Sequence, residues 1–359
     1  MNYKLRKRKD HALQYLGIPA LLRFVSYSPH TVEFRLTENC NARCTMCNAW
    51  KNKSVDELST EEIKEIFRQF KEVGIRFMLL LGGEPLLRQD IGAIINEANR
   101  LGYKPVLVTN GLLLEERAKE LLESGSFYLT VSIDGIKDTH DTMRGVKGLF
   151  DKAIRGVETI QKLKESINPN VTVTLITNLL QKRNVNEIPQ LVELARDLNS
   201  YWDLNLLDYN LDIFKGIPFS ELLVEDEEEI DKTIDYLIKA RREYSTVLSP
   251  FICRHVLEYT RRYLKGENLH NYHCVHGYEL LHIRSHGEVC LCYIKEPIGN
   301  FREAKLRDIL GNKKHRELAK EIYMKKCPGC TNLFEYNVVG KHLISHKLHC
   351  EIVQKIIRS

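Results

Sequence analysis

The sequence predicts an α/β fold: a partial (β/α)6 TIM-type barrel followed by a small C-terminal cysteine-rich module. Three observations carry this. Apolar, β-branched runs recur at residues 32–36, 77–81, 106–108, 128–133, 171–176 and 204–207, and helical patterns separate them. Such alternation argues for a parallel sheet with right-handed crossovers. Polar or glycine-rich segments follow the runs at the same end each time, where parallel β/α folds gather their active sites. The cysteines also cluster, at Cys40, Cys44 and Cys47 and again from Cys274 to Cys330. Six strand–helix units rather than eight favour an incomplete barrel; an open doubly wound sheet is the alternative.

The helices are read in order. In 59–73, Ser59 is placed to cap, Glu62 follows three residues on, and Ile63, Ile66, Phe67 and Phe70 fall on one face. Residues 90–101 stop at Gly102, and 114–123, 150–165 and 187–198 complete the series. The barrel is thus expected over 31–210. A helical connector over 211–270 includes the acidic run 225–229, read as a solvated helix start, and Cys253, read as buried core. The module is assigned to 271–335 and a tail to 336–359.

Composition narrows the function. With 43% hydrophobic and 28% charged residues, the chain reads as globular, and a net charge of +5 over 359 residues does not demand a nucleic-acid partner. No run reaches the ~20 apolar residues that span a bilayer. Residues 1–30 are basic and amphipathic, with Lys4, Arg6, Lys7, Arg8 and Lys9 ahead of Leu13, Leu16, Ile18, Leu21 and Leu22. Gly17, Pro19 and Arg23 interrupt any signal-peptide core, so a cytoplasmic location is expected, with peripheral membrane contact open to this segment. Ten cysteines in that compartment point to metal rather than disulfides.

Cys40-x3-Cys44-x2-Cys47 is the sharpest motif. Three thiolates hold three irons of a cubane cluster and leave the fourth open, whereas zinc needs a fourth ligand. Gly82-Gly83-Glu84-Pro85 follows the second strand and Thr109-Asn110-Gly111 the third. Ser132-Ile133-Asp134-Gly135 closes the fourth, Asn178 follows the fifth, and Asp208 and Asn210 the sixth.

Together these residues resemble the radical S-adenosylmethionine enzymes. The resemblance implies a 4Fe–4S cluster whose open iron takes the amine and carboxylate of S-adenosylmethionine. Its electron comes from a reductant such as flavodoxin or ferredoxin. Cleavage gives a 5′-deoxyadenosyl radical that takes hydrogen from an unactivated C–H bond. It further implies that Gly82 and Gly83 let backbone approach the cofactor, that Glu84 pairs with its ammonium, and that Pro85, Asn110 and Asn178 border it. Ser132 and Asp134 would serve the ribose or carboxylate region, and Arg144 the carboxylate. Met46 stands where many members carry an aromatic residue against adenine.

The late cysteines resemble the SPASM or twitch auxiliary iron–sulfur modules. His286-Gly287 reads as a hairpin turn, after which Cys290 and Cys292 are expected to face one side of a strand. The resemblance selects Cys292, giving Cys274, Cys292, Cys327 and Cys330 as ligands of one further 4Fe–4S cluster, with Cys350 spare. Structural zinc on the same thiolates, and Cys290 in place of Cys292, stay open. An auxiliary cluster suits substrate oxidation or bond formation on a peptide, a small metabolite or a lipid. A non-catalytic iron–sulfur redox sensor or electron carrier is the rival, although a carrier needs no open iron.

Overall fold

The computed structural model describes residues 27, 29–52, 56–178, 181–206, 216–217, 219–244, 246–267, 274–324 and 326. Six strands, β1 (Thr31–Arg35), β2 (Phe77–Leu81), β3 (Val106–Thr109), β4 (Tyr128–Ser132), β5 (Thr172–Asn178) and β6 (Tyr201–Asn205), pair in parallel, each beside its predecessor. A doubly wound sheet would reverse direction at a switch point. This order never reverses, which is the order of a barrel wall.

Along each strand one set of side chains is fully buried and the alternate set is only partly so. Val32, Phe34, Met78, Leu80, Leu129 and Val131 belong to the buried set. They face the outer helices: Phe34 meets Phe67 and Phe70 edge-on, with ring centroids 6.0 and 6.1 Å away. The other set, with Glu33, Arg35, Thr130, Ser132, Tyr201 and Asp203, lines the lumen. Its partial exposure shows that the lumen is not packed solid.

Helix α1 (Thr60–Val73) has the full capping box, with Ser59 and Glu62 satisfying each other's backbone amides, and it ends on left-handed Gly74. Then come α2 (Ile91–Arg100), α3 (Leu114–Glu123), α4 (Asp138–Arg144), α5 (Leu149–Ile167) and α6 (Ile188–Asp197), followed by α7 (Glu227–Glu243) and α8 (Arg254–Leu264). Asp226 caps α7 and three glutamates fill its first turn, the solvated start expected of the acidic run. Cys253 requires a correction: it is exposed, because it is the N-cap residue of α8 and lies outside that helix's apolar face. Among the described residues no helix is long and apolar enough to cross a membrane.

After α9 (His276–Glu279), strand β7 (Leu280–Ile283) pairs in parallel with the free edge of β1. Strands β8 (Glu288–Cys290) and β9 (Gly299–Asn300) follow antiparallel, then α10 (Leu306–Ile309) and α11 (Lys313–Tyr323). The cysteine-bearing hairpin therefore continues the barrel sheet, and Tyr278, Ile283 and Val289 share one core with the barrel.

Past the strand ends, the chain after β1 stays zipped to the chain after β2. Leu36 N–H donates to Leu81 O (2.7 Å), Gly83 N–H to Thr37 O (2.8 Å) and Glu84 N–H to Asn39 O (2.8 Å). A Cβ at Gly83 would lie 2.1 Å from Asn39 O, a clash with backbone that no rotamer relieves. Gly83→Ala is expected to cost about 1–3 kcal/mol and to lower iron uptake by displacing the cysteine loop. Gly92→Ala is the control: there a Cβ meets only the tip of the Glu120 side chain, and both melting temperature and iron content are expected to hold. Thermal unfolding and iron analysis of the two variants check this.

Candidate cofactor site

The loop carrying Cys40, Cys44 and Cys47 leaves β1 and is pinned to α4: Arg43 N–H donates to Arg144 O (2.9 Å) and Thr45 N–H to Met143 O (2.8 Å). Burial pushes all three thiols up, Cys40 to about 11. Each sulfur nevertheless has its own N–H donor. Ala49 N–H reaches Cys47 Sγ (3.4 Å), Arg144 Nη1 reaches Cys44 Sγ (3.8 Å), and the Ala42 amide serves Cys40. Donors aimed at sulfur suit thiolates bound to iron far better than neutral thiols, and such hydrogen bonds tune cluster potential. Among the described residues no three His, Cys, Asp or Glu side chains converge as they would around a single metal ion. The donor set fits a three-thiolate cluster.

Two proposed cofactor ligands are engaged with each other. Arg144 Nη2 lies 2.7 Å from Asp134 Oδ2, and Asp134 is fully buried. The Asp134 backbone is fixed at both ends: its N–H donates to His140 Nδ1 (3.1 Å) and its carbonyl accepts from Asn184 Nδ2 (2.7 Å). Burial, with Arg144 nearby, drives the His140 imidazole down to about 3, so it is neutral with Nδ1 as acceptor. Arg144 thus sits between the anion beside it and the sulfur above it.

Glu84 is also committed internally. Its Oε1 accepts from Thr109 Oγ1 (2.7 Å) and Leu86 N–H (3.0 Å), and its Oε2 from Asn110 N–H (2.7 Å). Burial raises its pKa against those donors. Asn110 Nδ2 then donates to Asn41 Oδ1 (2.7 Å), linking the third loop to the cysteine loop. Gly82 and Gly83 make their close approach to Thr37 and Asn39 of the same protein. Pro85 opens a short 3-10 helix, Pro85–Leu87, and Met46 is 2% exposed in the main core. Ser132 ends β4 on the lumen side, and Asn178 ends β5 opposite Asn205, its side chain outside the described residues.

In the late cysteine region, Arg284 N–H bonds to Glu288 O (3.0 Å) around left-handed Gly287, forming the expected hairpin turn. The strand, however, stops at Cys290, and Cys292 lies in the bend beyond it. Strand alternation therefore does not place the two thiols on one face. Cys290 and Cys274 are buried and Cys292 half-buried. Cys327, Cys330 and Cys350, like Asp208 and Asn210, lie outside the described residues.

Reading the sequence missed a lumen cluster. Glu33 Oε2 lies 3.1 Å from His282 Nδ1 and accepts the Tyr293 hydroxyl, and the His282 and Tyr293 rings stand 3.8 Å apart. Burial would raise the Glu33 pKa, yet His282 and Tyr293 hold it below the usual carboxylate range. On the far wall, burial pushes Asp203 up to about 6 despite its bond to Ser249. The signal was available: an acid between two apolar residues within a strand, as in Val32-Glu33-Phe34 and Trp202-Asp203-Leu204.

Comparison with known proteins agrees with this geometry. Residues 34–195 match the radical SAM superfamily, and residues 274–331 match the SPASM iron–sulfur cluster-binding domain. An AdoMet-dependent heme synthase of Methanosarcina barkeri is 29% identical over 84% of this chain and 91% of its own length. The sporulation killing factor maturation protein SkfB of Bacillus subtilis is 26% identical over 86% of this chain and 72% of its own. The crystal structure of Streptococcus suis SuiB shares the fold, with a TM-score of 0.66 at 16% identity over 89% of this chain and 75% of that one. The two domain matches imply S-adenosylmethionine and 4Fe–4S clusters as cofactors. From its cysteine loop to its C-terminal hairpin, this chain is a member of the radical SAM superfamily that carries a SPASM domain.

Proposed function

We propose that the protein uses S-adenosylmethionine to oxidise an organic substrate held in the barrel lumen, through hydrogen abstraction at a C–H bond. The observation that carries this is the trio of half-buried sulfurs on one loop, each with a separate N–H donor. When bound, the cluster and cofactor supply a 5′-deoxyadenosyl radical, and a second cluster supplies an acceptor for the electron the substrate gives up. Cys40, Cys44 and Cys47 hold the first cluster, and Cys274, Cys292, Cys327 and Cys330 the second. Glu84 and Asn110 brace the loops around the cofactor, while Ser132, Arg144 and Asn178 meet its polar parts and Met46 backs its adenine.

Relatives aligned along most of the chain are named for heme synthesis and for maturation of a peptide killing factor, and SuiB has been seen with a precursor peptide. The lumen favours the peptide reading. Its described polar side chains include two carboxylates, Asp203 and Glu33, the latter sharing one oxygen between His282 and Tyr293, while Arg35 is paired with Glu38 (2.8 Å) and Arg144 with Asp134. Such a wall suits a substrate offering N–H or O–H donors more than one offering several carboxylates.

Cys40→Ala, Cys44→Ala and Cys47→Ala are each expected to abolish formation of 5′-deoxyadenosine by anaerobically reduced protein, with the fold retained by circular dichroism. Cleavage surviving in any one of them would remove that residue from the ligand set. Reconstituted protein is expected to hold about eight irons, and the triple variant about four. Cys292→Ala should lose the second cluster's absorbance and still cleave the cofactor slowly, whereas Cys290→Ala should keep full iron. The reverse pattern would exchange the two residues.

A further inference from the structure

The surface beside the cysteine loop has a feature that cofactor binding does not use. Cys47 Sγ accepts from Ala49 N–H (3.4 Å), and Ala49 opens the single 3-10 turn Ala49–Lys51. The middle residue of that turn, Trp50, is 37% exposed, one of few large apolar side chains at the described surface. Two cations hold its ring: Arg43 Cζ is 6.0 Å from the centroid and Lys51 Nζ is 5.3 Å from it. Arg43, Lys51 and Asn52 are exposed as well. Residues 39–52 contain no acid. The acids on either side are already engaged, Glu38 with Arg35 (2.8 Å) and Asp56 with Arg302 (2.5 Å).

We infer that Trp50, Arg43 and Lys51 form the docking surface for an acidic, flavin-bearing electron-carrier protein. The inference rests on Cys40, Cys44 and Cys47 holding a cluster, since that cluster must be reduced from outside. Trp50 is three residues from Cys47, and the amide between them already touches its sulfur, so the turn offers a short covalent and hydrogen-bonded route inward. An exposed indole flanked by cations has the make-up of an interface hot spot, and the uncompensated positive charge steers an acidic partner. The flat ring also matches a flavin's exposed edge, which favours a flavin carrier over a cluster carrier. The exchange moves one electron: the carrier's reduced flavin is oxidised by one, the cluster is reduced by one, and no bond forms or breaks.

The test uses reconstituted full-length enzyme with two reductants, dithionite, which needs no docking, and reduced flavodoxin. Trp50→Ala and Lys51→Glu are expected to cleave S-adenosylmethionine at the wild-type rate with dithionite. With flavodoxin, the concentration giving half-maximal rate should rise about tenfold or more. A binding readout stands apart from turnover: titration with oxidised flavodoxin should quench wild-type tryptophan fluorescence in a salt-sensitive way, and Lys51→Glu should weaken that quenching equally. Unchanged flavodoxin titrations in both variants would overturn the docking surface. So would an equal loss with dithionite at full iron content, which would make the turn a structural support. Preserved flavodoxin support with loss of support by a reduced ferredoxin would overturn the choice of a flavin carrier. Wild-type protein that cleaves nothing with dithionite would instead sink the cluster reading beneath the proposal.

Discussion

The carboxylate of Glu84 is the joint on which the upper face of the barrel depends. It is 1% exposed, and three donors from two loops converge on it. Its own backbone amide is bonded to Asn39, the residue before Cys40. One side chain therefore fixes the second loop, the third loop and the entrance of the cysteine loop. Burying an anion is costly unless its lone pairs are met, and here they are met by groups that would otherwise be buried donors without partners. Removing the carboxylate would strand Thr109 and the amides of Leu86 and Asn110 together, each at about 1–3 kcal/mol.

A second buried charge works alongside it. Arg144 is flanked by the Asp134 carboxylate and the Cys44 sulfur, and both raise its hold on the proton against burial. It offsets negative charge where thiolates gather, and α4 holds it there because the cysteine loop is hydrogen-bonded to the last turn of that helix. Acceptor-rich and donor-rich loops thus face one another at the ends of the strands, while the lumen below carries the remaining acids.

Much of this was legible in the sequence where a local rule and the tertiary structure agree. The strand Phe77–Leu81 and the helix Leu114–Glu123 lie where periodicity puts them, and Ser59 caps as its spacing with Glu62 implies. The misses have physical causes. Strand β6 begins at Tyr201, before the apolar run, because its pairing with β5 starts opposite Thr174 and buried Trp202 donates to Thr177 Oγ1. Helix α4 has seven residues and buries only His140 and Met143, too few to show a period. The missing side chains of the glycines at 82 and 83 also make room for the neighbouring loop, a contact that only the folded sheet brings about. The pairing of β7 with β1 joins residues some 250 apart, and no local pattern encodes it.

That last pairing bears on how the two halves of the chemistry are held together. Glu33 stands opposite His282 in the β1–β7 register, and His282 opposite Cys290 in the β7–β8 register. From the strand that leads into the first cysteine loop to the strand that leads toward Cys292 there are two inter-strand steps, about 10 Å. The separation is set by ladder geometry and not by the slack of a tether. A slip of one residue in the β1–β7 ladder would turn His282 away from Glu33, and one in the β7–β8 ladder would turn Cys290 to the other face, so the sheet behaves as a ruler whose graduations are peptide units.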